Sequence, residues 1–364
     1  MNIAIMFGGP SVEHDISIIT AKQVFSAIDK KKYKIMLIYY SKDKKFYITP
    51  NFEYFEKSKE EIKLLDEVSI NRLGAKKRGK FSKRKPIDFV ICTFHGKNTE
   101  SGELAGYLDT LGIPYSSNSV LGASIGQDKV TMKKILTYDG INVLPFQYLD
   151  YEGYVNIQDE WYDDLEKFGY PIIIKPSNLG SSIGIKKVND KQELKKALNY
   201  AFKFDKMVIL EQCLEDFREF NCAIFNGITS SIEEVKVNNE IFSFKDKYET
   251  DEISHILPAE ITEELRNEIY DLTKETSKSL RNESIARIDF LYDNLNQKLY
   301  VNEINTIPGA LSYYLFEEKG IYFDQLIDQL INFGLKRDYK NKELVNNFTS
   351  NVLNQQHKSS KIRK

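Results

Sequence analysis

The chain has 364 residues, of which 41% are hydrophobic and 29% charged, the composition of a globular protein with two or three domains. Its formal net charge of −2 excludes a global field that would favour nucleic acid or a membrane surface. No apolar run approaches the ~20 residues of a membrane span, and residues 1–6 lack the features of a signal peptide.

The chain has three cysteines, Cys92, Cys213 and Cys222. They are few, odd in number and set in apolar runs, so we predict free thiols and no disulfide framework. Together with the absence of a signal or a membrane span, this predicts a cytoplasmic protein.

The first third of the chain alternates strands and helices. Its apolar runs, which are typical of buried parallel strands, are residues 2–7, 33–40 and 89–94. Between the first two runs, residues 16–28 present one apolar face at helical spacing. This order predicts an α/β fold with a doubly wound parallel sheet over residues 1–122, and ligands near Gly8 and His95 at the carboxyl ends of the strands.

A basic stretch, residues 76–85, holds seven lysines and arginines in ten positions. A nucleic-acid patch is conceivable, but only Phe81 interleaves the charges. We therefore predict a solvated surface loop and no nucleic-acid partner.

The middle of the chain, residues 123–214, is predicted to form a small α+β domain. Its elements in order are a helix (126–138), a strand (170–175), a glycine-rich loop (176–184), a strand (185–188), a helix that Asn189 or Asp190 can cap, and a strand (207–210). The loop lacks the spacing of a Walker A motif, and no helix follows it at once. It could be a plain hairpin turn, or it could fold over phosphates with Lys175 supplying charge.

Residues 215–340 are predicted to form a third domain, followed by a polar tail at 341–364. Asn226-Gly227 is a strong hairpin signal between two strands. The other predicted elements are a mobile loop (243–255), a helix (262–280), a second hairpin (285–292 with 298–305) and a last helix (323–333).

The second hairpin carries the strongest local signal. Because side chains alternate along a strand, Arg287 and Asp289 point the same way, as do Glu303 and Asn305. Four such polar groups normally face water. However, two carboxylates and an amide oxygen are hard ligands that suit Mg²⁺. The turn at residues 305–309 follows directly, and its backbone amides could bind an anion.

Several other classes of site are excluded by their missing motifs. The four histidines are scattered, so no zinc site is predicted. Residues 7–11 lack the third glycine of a dinucleotide fingerprint, and no nucleophile elbow is present.

Taken together, these segments resemble the D-alanine–D-alanine ligases of the ATP-grasp superfamily, from residue 2 to about residue 330. The blocks that carry the resemblance are residues 7–14 (FGGPSVEH), 95–106 (HGKNTESGELAG), 175–184 (KPSNLGSSIG), and 287–289 (RID) with 303–309 (EINTIPG). Each block is moderately specific, and their shared order and spacing are highly specific. The resemblance implies an ATP-grasp fold, with ATP held between the central and C-terminal domains.

The resemblance also implies the residues that hold the nucleotide and metal. The implied ATP contacts are Lys129 and Lys175 at the phosphates, Glu211, Gln212 and Leu214 at the adenine, Glu219 at the ribose, and Lys247 on a closing loop. Two magnesium ions, or Mn²⁺ in their place, would be bound by Asp289, Glu303 and Asn305.

For the amino acids, the resemblance implies that Glu13 orients the first amine and joins Ser181 and Tyr248 in a hydrogen-bonded triad. His95 and Glu100 match further positions of this first-substrate region. Arg287 and the backbone amide of Gly309 would stabilise the developing oxyanion.

The segment after Gly309 departs from the family pattern. Tyr314 stands where a serine is expected to hold the second substrate, with Ser312 nearby. Ser101 and Ala105 also replace an expected Asp and Gln. The acceptor pocket is therefore predicted to differ, while the donor, ATP and metal parts match.

We therefore predict an ATP-dependent ligase that joins two D-alanine molecules through an acyl phosphate, for peptidoglycan precursors. The alternatives are a ligase with D-serine, D-lactate or another acceptor, and another ATP-grasp ligase with an unrelated carboxylate substrate. A last alternative is an inactive nucleotide-binding module, which the retained site residues oppose. The predicted partners are small molecules, without membrane or nucleic acid, and the resemblance implies a homodimer.

Overall fold

The structure, a computed structural model, describes residues 1–57, 65–79, 81–156, 161–162, 164, 168–237, 253–345 and 347–350. The strands in this part of the chain are β1 (Asn2–Gly8), β2 (Lys34–Tyr40), β3 (Phe46–Thr49), β4 (Asp66–Asn71), β5 (Gly74–Lys77), β6 (Phe89–Cys92), β7 (Phe146–Asp150), β8 (Ile172–Pro176), β9 (Lys186–Val188), β10 (Met207–Gln212), β11 (Phe217–Phe225), β12 (Ile228–Val237), β13 (Ile253–Ile256), β14 (Ala286–Asp293) and β15 (Lys298–Asn305). The α-helices are α1 (His14–Ala27), α2 (Tyr54–Lys57), α3 (Glu103–Leu111), α4 (Val120–Gln127), α5 (Lys129–Tyr138), α6 (Tyr151–Val155), α7 (Lys191–Ala201), α8 (Glu263–Ser279), α9 (Tyr313–Glu317) and α10 (Phe323–Glu343).

The first sheet has the strand order β5-β4-β3-β2-β1-β6. Strand β1 pairs in parallel with β2 and β6, as the buried apolar runs predict. Strands β3, β4 and β5 extend the sheet in antiparallel fashion, which the sequence analysis did not foresee. The basic stretch begins inside β5, where Lys77 forms an ion pair with Asp66 and Arg78 forms one with Glu67.

The C-terminal helix α10 closes the core of this first sheet. Leu326 and Leu330 are buried in the same apolar cluster as Ile5 and Phe89. Helix and sheet approach so closely that a Cβ added at Gly334 would lie 2.7 Å from the ring of Phe89. The predicted helix at 323–333 is longer in the structure and continues to residue 343. Its buried residues share one core with those of β1.

The second sheet has the order β7-β10-β8-β9, and each of its pairs is antiparallel. The prediction of one helix over residues 126–138 is wrong, because α4 and α5 are separate helices that meet at Asp128. Its backbone is extended (φ −88°, ψ 102°), and its side chain accepts a hydrogen bond of 2.7 Å from the Thr131 amide. An aspartate in this conformation caps a new helix, so α5 begins at Lys129.

The third sheet has the order β13-β12-β11-β14-β15. The predicted turn is confirmed, since Asn226 and Gly227 both have positive φ (49° and 78°) between β11 and β12. Helix α8 is capped by Thr262 and covers one face of the sheet, where Ile269 is buried with Phe290. Most of the predicted loop at 243–255 lies outside the described residues, and its last residues belong to β13. None of the helices in the described ranges is long and apolar enough to cross a bilayer.

Candidate active site

The three sheets meet at a cleft that consists of two adjoining cavities. The larger has a volume of about 500 Å³ and the smaller about 120 Å³. The larger alone has the size of a small-molecule site. The residues that line both cavities are Lys129, Gly180, Ser181, Glu219 and Glu303.

One wall of the cleft is the polar face of the β14–β15 hairpin. Asp289 lies opposite Glu303 in the strand register, and Arg287 lies opposite Asn305. The guanidinium of Arg287 donates two hydrogen bonds to Asp289, of 2.7 and 2.8 Å, and the Asn305 amide donates a third of 3.0 Å. The structure thus brings these four groups together as the alternation predicts, while Ile288 is buried on the other face.

A β-bulge at Asn302 adds a residue to this wall. Phe290 pairs with Val301, so one extra residue is inserted into β15 before Glu303. A bulge lets two successive side chains serve one face. Asn302 accepts a hydrogen bond of 3.3 Å from Lys175, and Glu303 lies 3.0 Å from the ammonium of Lys129. Strict alternation would turn Asn302 away, and nothing in the sequence signals the bulge.

Asp289, Glu303 and Asn305 supply the kind of oxygen atoms that Mg²⁺ prefers. Directly opposed residues of an antiparallel pair have Cβ atoms about 5 Å apart, so both carboxylates can reach one ion. In the described ranges, no three His, Cys, Asp or Glu side chains gather as a metal group, so a third ligand would be the Asn305 amide oxygen. The donor set therefore fits a hard cation that competes with Arg287 and Lys129 for these oxygens.

A buried carboxylate organises the lysines beside the smaller cavity. Glu211 is 1% exposed, and its two oxygens lie 2.5 Å from the ammonium groups of Lys133 and Lys175. Burial alone would raise the pKa of Glu211, but the two lysines hold it at about 2. Lys133 was not among the predicted site residues, although its spacing of four residues from Lys129 places both on one side of α5.

The glycine-rich loop has a strained backbone at its tip. Ser181 and Ser182 have left-handed φ values of 54° and 56°, which cost non-glycine residues roughly 1–2 kcal/mol each. Two contacts hold this conformation. The hydroxyl of Ser181 donates to the carboxylate of Glu13, and Lys129 donates a hydrogen bond of 2.9 Å to the carbonyl of Leu179. The loop is therefore fixed to both α5 and the start of α1.

Glu100 joins the first sheet to the turn after β15. Its carboxylate accepts hydrogen bonds from the backbone amides of Gly96 (3.0 Å) and Ile307 (2.8 Å) and from the hydroxyl of Thr306 (3.1 Å). Burial, helped by the charge of Glu13, raises the pKa of Glu100 to about 7. The turn was a candidate for binding an anion through its backbone amides, and its Ile307 amide binds the carboxylate of Glu100.

His95 lies on the same side of the cleft as Glu100 and is uncharged. Burial lowers the pKa of His95 to about 4, so the imidazole is neutral at pH 7. Its Nε2 atom is 2.8 Å from the hydroxyl of Thr20, and that hydroxyl accepts a hydrogen bond of 3.3 Å from the Ala310 amide. Thr20 therefore connects His95 to the turn that follows Gly309.

That turn holds three successive non-glycine residues with positive φ, Ala310 (52°), Leu311 (52°) and Ser312 (49°). Gly309 lines the cleft, but the side chain of Ser312 does not reach it. Ser312 is 0% exposed, and its hydroxyl lacks a partner within the described part of the chain. The predicted substrate role of Ser312 is therefore corrected, because the left-handed turn directs its side chain into the interior.

Tyr314 does line the cleft, and it belongs to a polar cluster that the sequence analysis did not identify. Its hydroxyl donates to Glu233 at 3.3 Å, and the amide of Asn221 donates to the same oxygen at 3.0 Å. The other Glu233 oxygen is 2.9 Å from Nδ1 of His255. Burial opposes ionisation, yet the bonds from His255 and Asn221 lower the pKa of Glu233. Asn221 interrupts the apolar part of β11, which was a signal available in the sequence, whereas Glu233 lies among other polar residues of β12.

The remaining predicted residues divide into two groups. Gln212, Leu214 and Glu219 line the smaller cavity, next to Cys213. Lys247 and Tyr248 lie outside the described residues.

Comparison with known proteins gives two family matches that cover most of the chain. The profile of the D-ala D-ala ligase N-terminus matches residues 2–118, and that of the D-ala D-ala ligase C-terminus matches residues 135–332. A D-alanine–D-alanine ligase of Thermosipho melanesiensis is 40% identical over 367 residues, covering 97% of this chain and 98% of that protein. One from Staphylococcus epidermidis is 34% identical over 356 residues, covering 94% and 97%.

Solved structures agree with these sequence matches. The VanG D-Ala:D-Ser ligase of Enterococcus faecalis superposes with a TM-score of 0.79 and 29% identity, over 92% of this chain and 99% of that one. The D-alanine–D-alanine ligase of Bacillus anthracis complexed with ATP superposes with a TM-score of 0.70 and 27% identity, over 94% and 99%.

Proposed function

The chain belongs to the D-alanine–D-alanine ligase family, and from this membership we propose how its cleft joins two D-alanine molecules with ATP. It is an ATP-dependent ligase with the ATP-grasp fold. The observation that carries the proposal is the hydrogen bond between Ser181 and Glu13, which holds the glycine-rich loop against the start of α1 beside the acidic hairpin face.

We propose that ATP occupies the smaller cavity and reaches into the larger one. Lys129 and Lys175 are placed to hold its phosphates, and Glu219 its ribose. The adenine would lie against the segment 211–214, which contains Gln212 and Leu214. Because the lysines already hold the carboxylate of Glu211, contact with the adenine amino group falls to the backbone of that segment.

The proposed metal ligands are Asp289, Glu303 and Asn305, for two magnesium ions. Bound there, Mg²⁺ would neutralise charge on the phosphoryl oxygens during transfer. The opposed carboxylates of the hairpin support this assignment. Lys247 would add a cation from the segment outside the described residues.

For the first D-alanine, we propose that Glu13 orients the amine, supported by Ser181 and by Tyr248. The carboxylate of this D-alanine attacks the γ-phosphoryl group, which gives an acyl phosphate and releases ADP. Neutral His95 and the strongly hydrogen-bonded Glu100 form the wall behind it. Their role is to shape a site without placing a second free charge beside Glu13.

The amine of the second D-alanine then attacks the acyl carbon, and inorganic phosphate leaves as the peptide bond forms. The tetrahedral intermediate carries an oxyanion. Arg287 and the amide of Gly309 face this position in our proposal, and a donor of this kind contributes about 3–4 kcal/mol in comparable sites. Tyr314, held by Glu233, would border the second D-alanine in place of Ser312.

We also propose the finer assignments that rest on the family and the sequence. The domain limits are 1–122, 123–214 and 215–340, the assembly is a homodimer, and the dipeptide serves peptidoglycan synthesis in the cytoplasm. The free thiols of Cys92, Cys213 and Cys222 support a reducing compartment.

The test is a parallel measurement of ADP and dipeptide with purified protein, ATP, Mg²⁺ and D-alanine. We expect one ADP per D-alanyl-D-alanine, with L-alanine as the negative control. The Asp289→Asn variant should lose nearly all turnover. Wild-type protein that makes no dipeptide from D-alanine would refute the proposed function. A dipeptide formed only with added D-serine would show that D-serine is the acceptor.

A further inference from the structure

An ion pair outside the cleft joins the loop after β6, on the side proposed for the first D-alanine, to the glycine-rich loop. Lys97 directly follows Gly96 in the loop after β6, and its ammonium lies 2.7 Å from the carboxylate of Asp205. Asp205 precedes β10 of the second sheet, and its side chain is only 4% exposed. Because the carboxylate is shielded from water, the pair is stronger than an ordinary surface ion pair.

The second oxygen of Asp205 holds the start of the glycine-rich loop. It accepts a hydrogen bond of 2.7 Å from the backbone amide of Asn178 and a longer one of 3.3 Å from its side chain. The same Asn178 side chain donates a hydrogen bond of 2.7 Å to Asp128. Asn178 is therefore fixed between two carboxylates.

Asp128 carries the connection to the phosphate-binding helix. It caps α5, which begins with Lys129, and it also accepts a hydrogen bond of 2.9 Å from Ser177. The four side chains Lys97, Asp205, Asn178 and Asp128 thus form a continuous chain of contacts from the loop of His95 to α5. None of these four is among the described residues that line the two cavities.

We propose that Lys97 and Asp205 are positioning residues. Their ion pair fixes the glycine-rich loop against the loop after β6, which carries His95, so that the acyl phosphate is attacked by the amine and not by water. This proposal rests on the proposed function. The acyl phosphate forms where a carboxylate held by one loop meets a phosphoryl group beneath the other. A misplacement of 1 Å between reacting groups can cost about 100-fold in rate.

Hydrolysis is the alternative fate of the acyl phosphate, and it is the outcome expected when the ion pair is loosened. Water that enters between the loops attacks the acyl phosphate and returns the carboxylate and inorganic phosphate. ATP is then consumed without a dipeptide. The ratio of phosphate to dipeptide therefore reports how firmly the two loops are held against each other. A loss of folded protein instead lowers both products together.

The experiment compares Lys97→Met, Lys97→Arg and Asp205→Asn with wild type, measuring phosphate and dipeptide in the same reaction. We expect Lys97→Met and Asp205→Asn to lower kcat/KM for the dipeptide about 10-fold and to raise the ratio from one to at least two. Lys97→Arg should restore most of the coupling, because it keeps the charge. The exposed Lys203→Met, two residues from Asp205, is the matched control and should behave as wild type.

A second measurement does not depend on turnover. Amide hydrogen exchange across residues 178–183 should be at least threefold faster in Lys97→Met than in wild type or Lys203→Met. Unchanged exchange, or an unchanged phosphate-to-dipeptide ratio in active Lys97→Met and Asp205→Asn, would overturn the proposal. Wild-type protein that releases no ADP with D-alanine would instead refute the proposed function, and the exchange measurement would still decide the role of the ion pair.

Discussion

Ser181 donates a hydrogen bond to the carboxylate of Glu13, although the two residues are 168 positions apart, one in the glycine-rich loop between β8 and β9 and the other at the start of α1. We predict that Ser181→Ala lowers kcat/KM for D-alanine by about 10- to 100-fold, since a hydrogen bond to a charged group contributes roughly 1.5–3 kcal/mol. Steady-state kinetics with varied D-alanine measures this. The neighbouring Ser182→Ala should lose far less, and equal losses in both variants would contradict the specific role of Ser181.

Removing Lys133 should destabilise the protein. Lys133→Met leaves Glu211 buried with one lysine instead of two, and breaking a buried ion pair in this way costs about 3–5 kcal/mol. Urea denaturation followed by fluorescence measures the loss. The control is Lys134→Met, since Lys134 is the next residue on α5 and is exposed. Equal stability of the two variants would show that the buried pair is weak.

Metal binding can be tested apart from catalysis. We expect Mg²⁺ together with ADP to raise the melting temperature of wild-type protein, and EDTA to reverse the increase. Glu303→Gln should abolish the Mg²⁺-dependent part, because it removes one of the two carboxylates at the proposed site. If the variant keeps the full Mg²⁺-dependent increase, the ligands lie elsewhere.

Tyr314 should influence the choice of acceptor. Tyr314→Phe removes the hydroxyl that donates to Glu233, so the carboxylate gains a free acceptor position beside the site proposed for the second substrate. We expect the variant to incorporate D-serine, which can donate a hydroxyl proton, at least threefold more often relative to D-alanine. Mass spectrometry of the dipeptides formed from an equal mixture gives the ratio. An unchanged ratio would place Tyr314 outside acceptor selection.

The raised pKa of Glu100 predicts how the stability of the protein depends on pH. Its pKa is raised from 4.5 to about 7, so the folded protein keeps a proton that the unfolded chain has lost over this range. The stabilisation from that proton is fully present below pH 4.5 and is lost as the pH rises towards 7. Glu100→Gln does not titrate, so its melting temperature relative to wild type should increase between pH 5 and 7.5. A constant difference would contradict the raised pKa.

Much of the site was predictable because it depends on local rules. The alternation of strand side chains placed Arg287, Asp289 and Asn305 on one face, and the Asn226-Gly227 pair located a turn. These features follow from backbone geometry within a few residues.

Other features depend on contacts between distant segments, which no local pattern encodes. The bulge at Asn302 exists only in relation to β14, and the spacing of Lys133 from Lys129 does not show that Glu211 lies beside it. The break at Asp128 was missed because residues 126–129 carry no apolar side chains, so no change of periodicity marks it. Its cap is stabilised by Ser177 and Asn178 from the glycine-rich loop.

The bonds from Gly96, Thr306 and Ile307 to Glu100 have a consequence for recombination between related genes. A crossover between the first sheet and β15 would take Glu100 from one parent and the turn from the other. Such hybrids would keep the strands of each sheet but could leave Glu100 buried without its donors from the turn, which costs stability. Shuffled libraries should therefore be rich in destabilised chimeras unless both segments are inherited together.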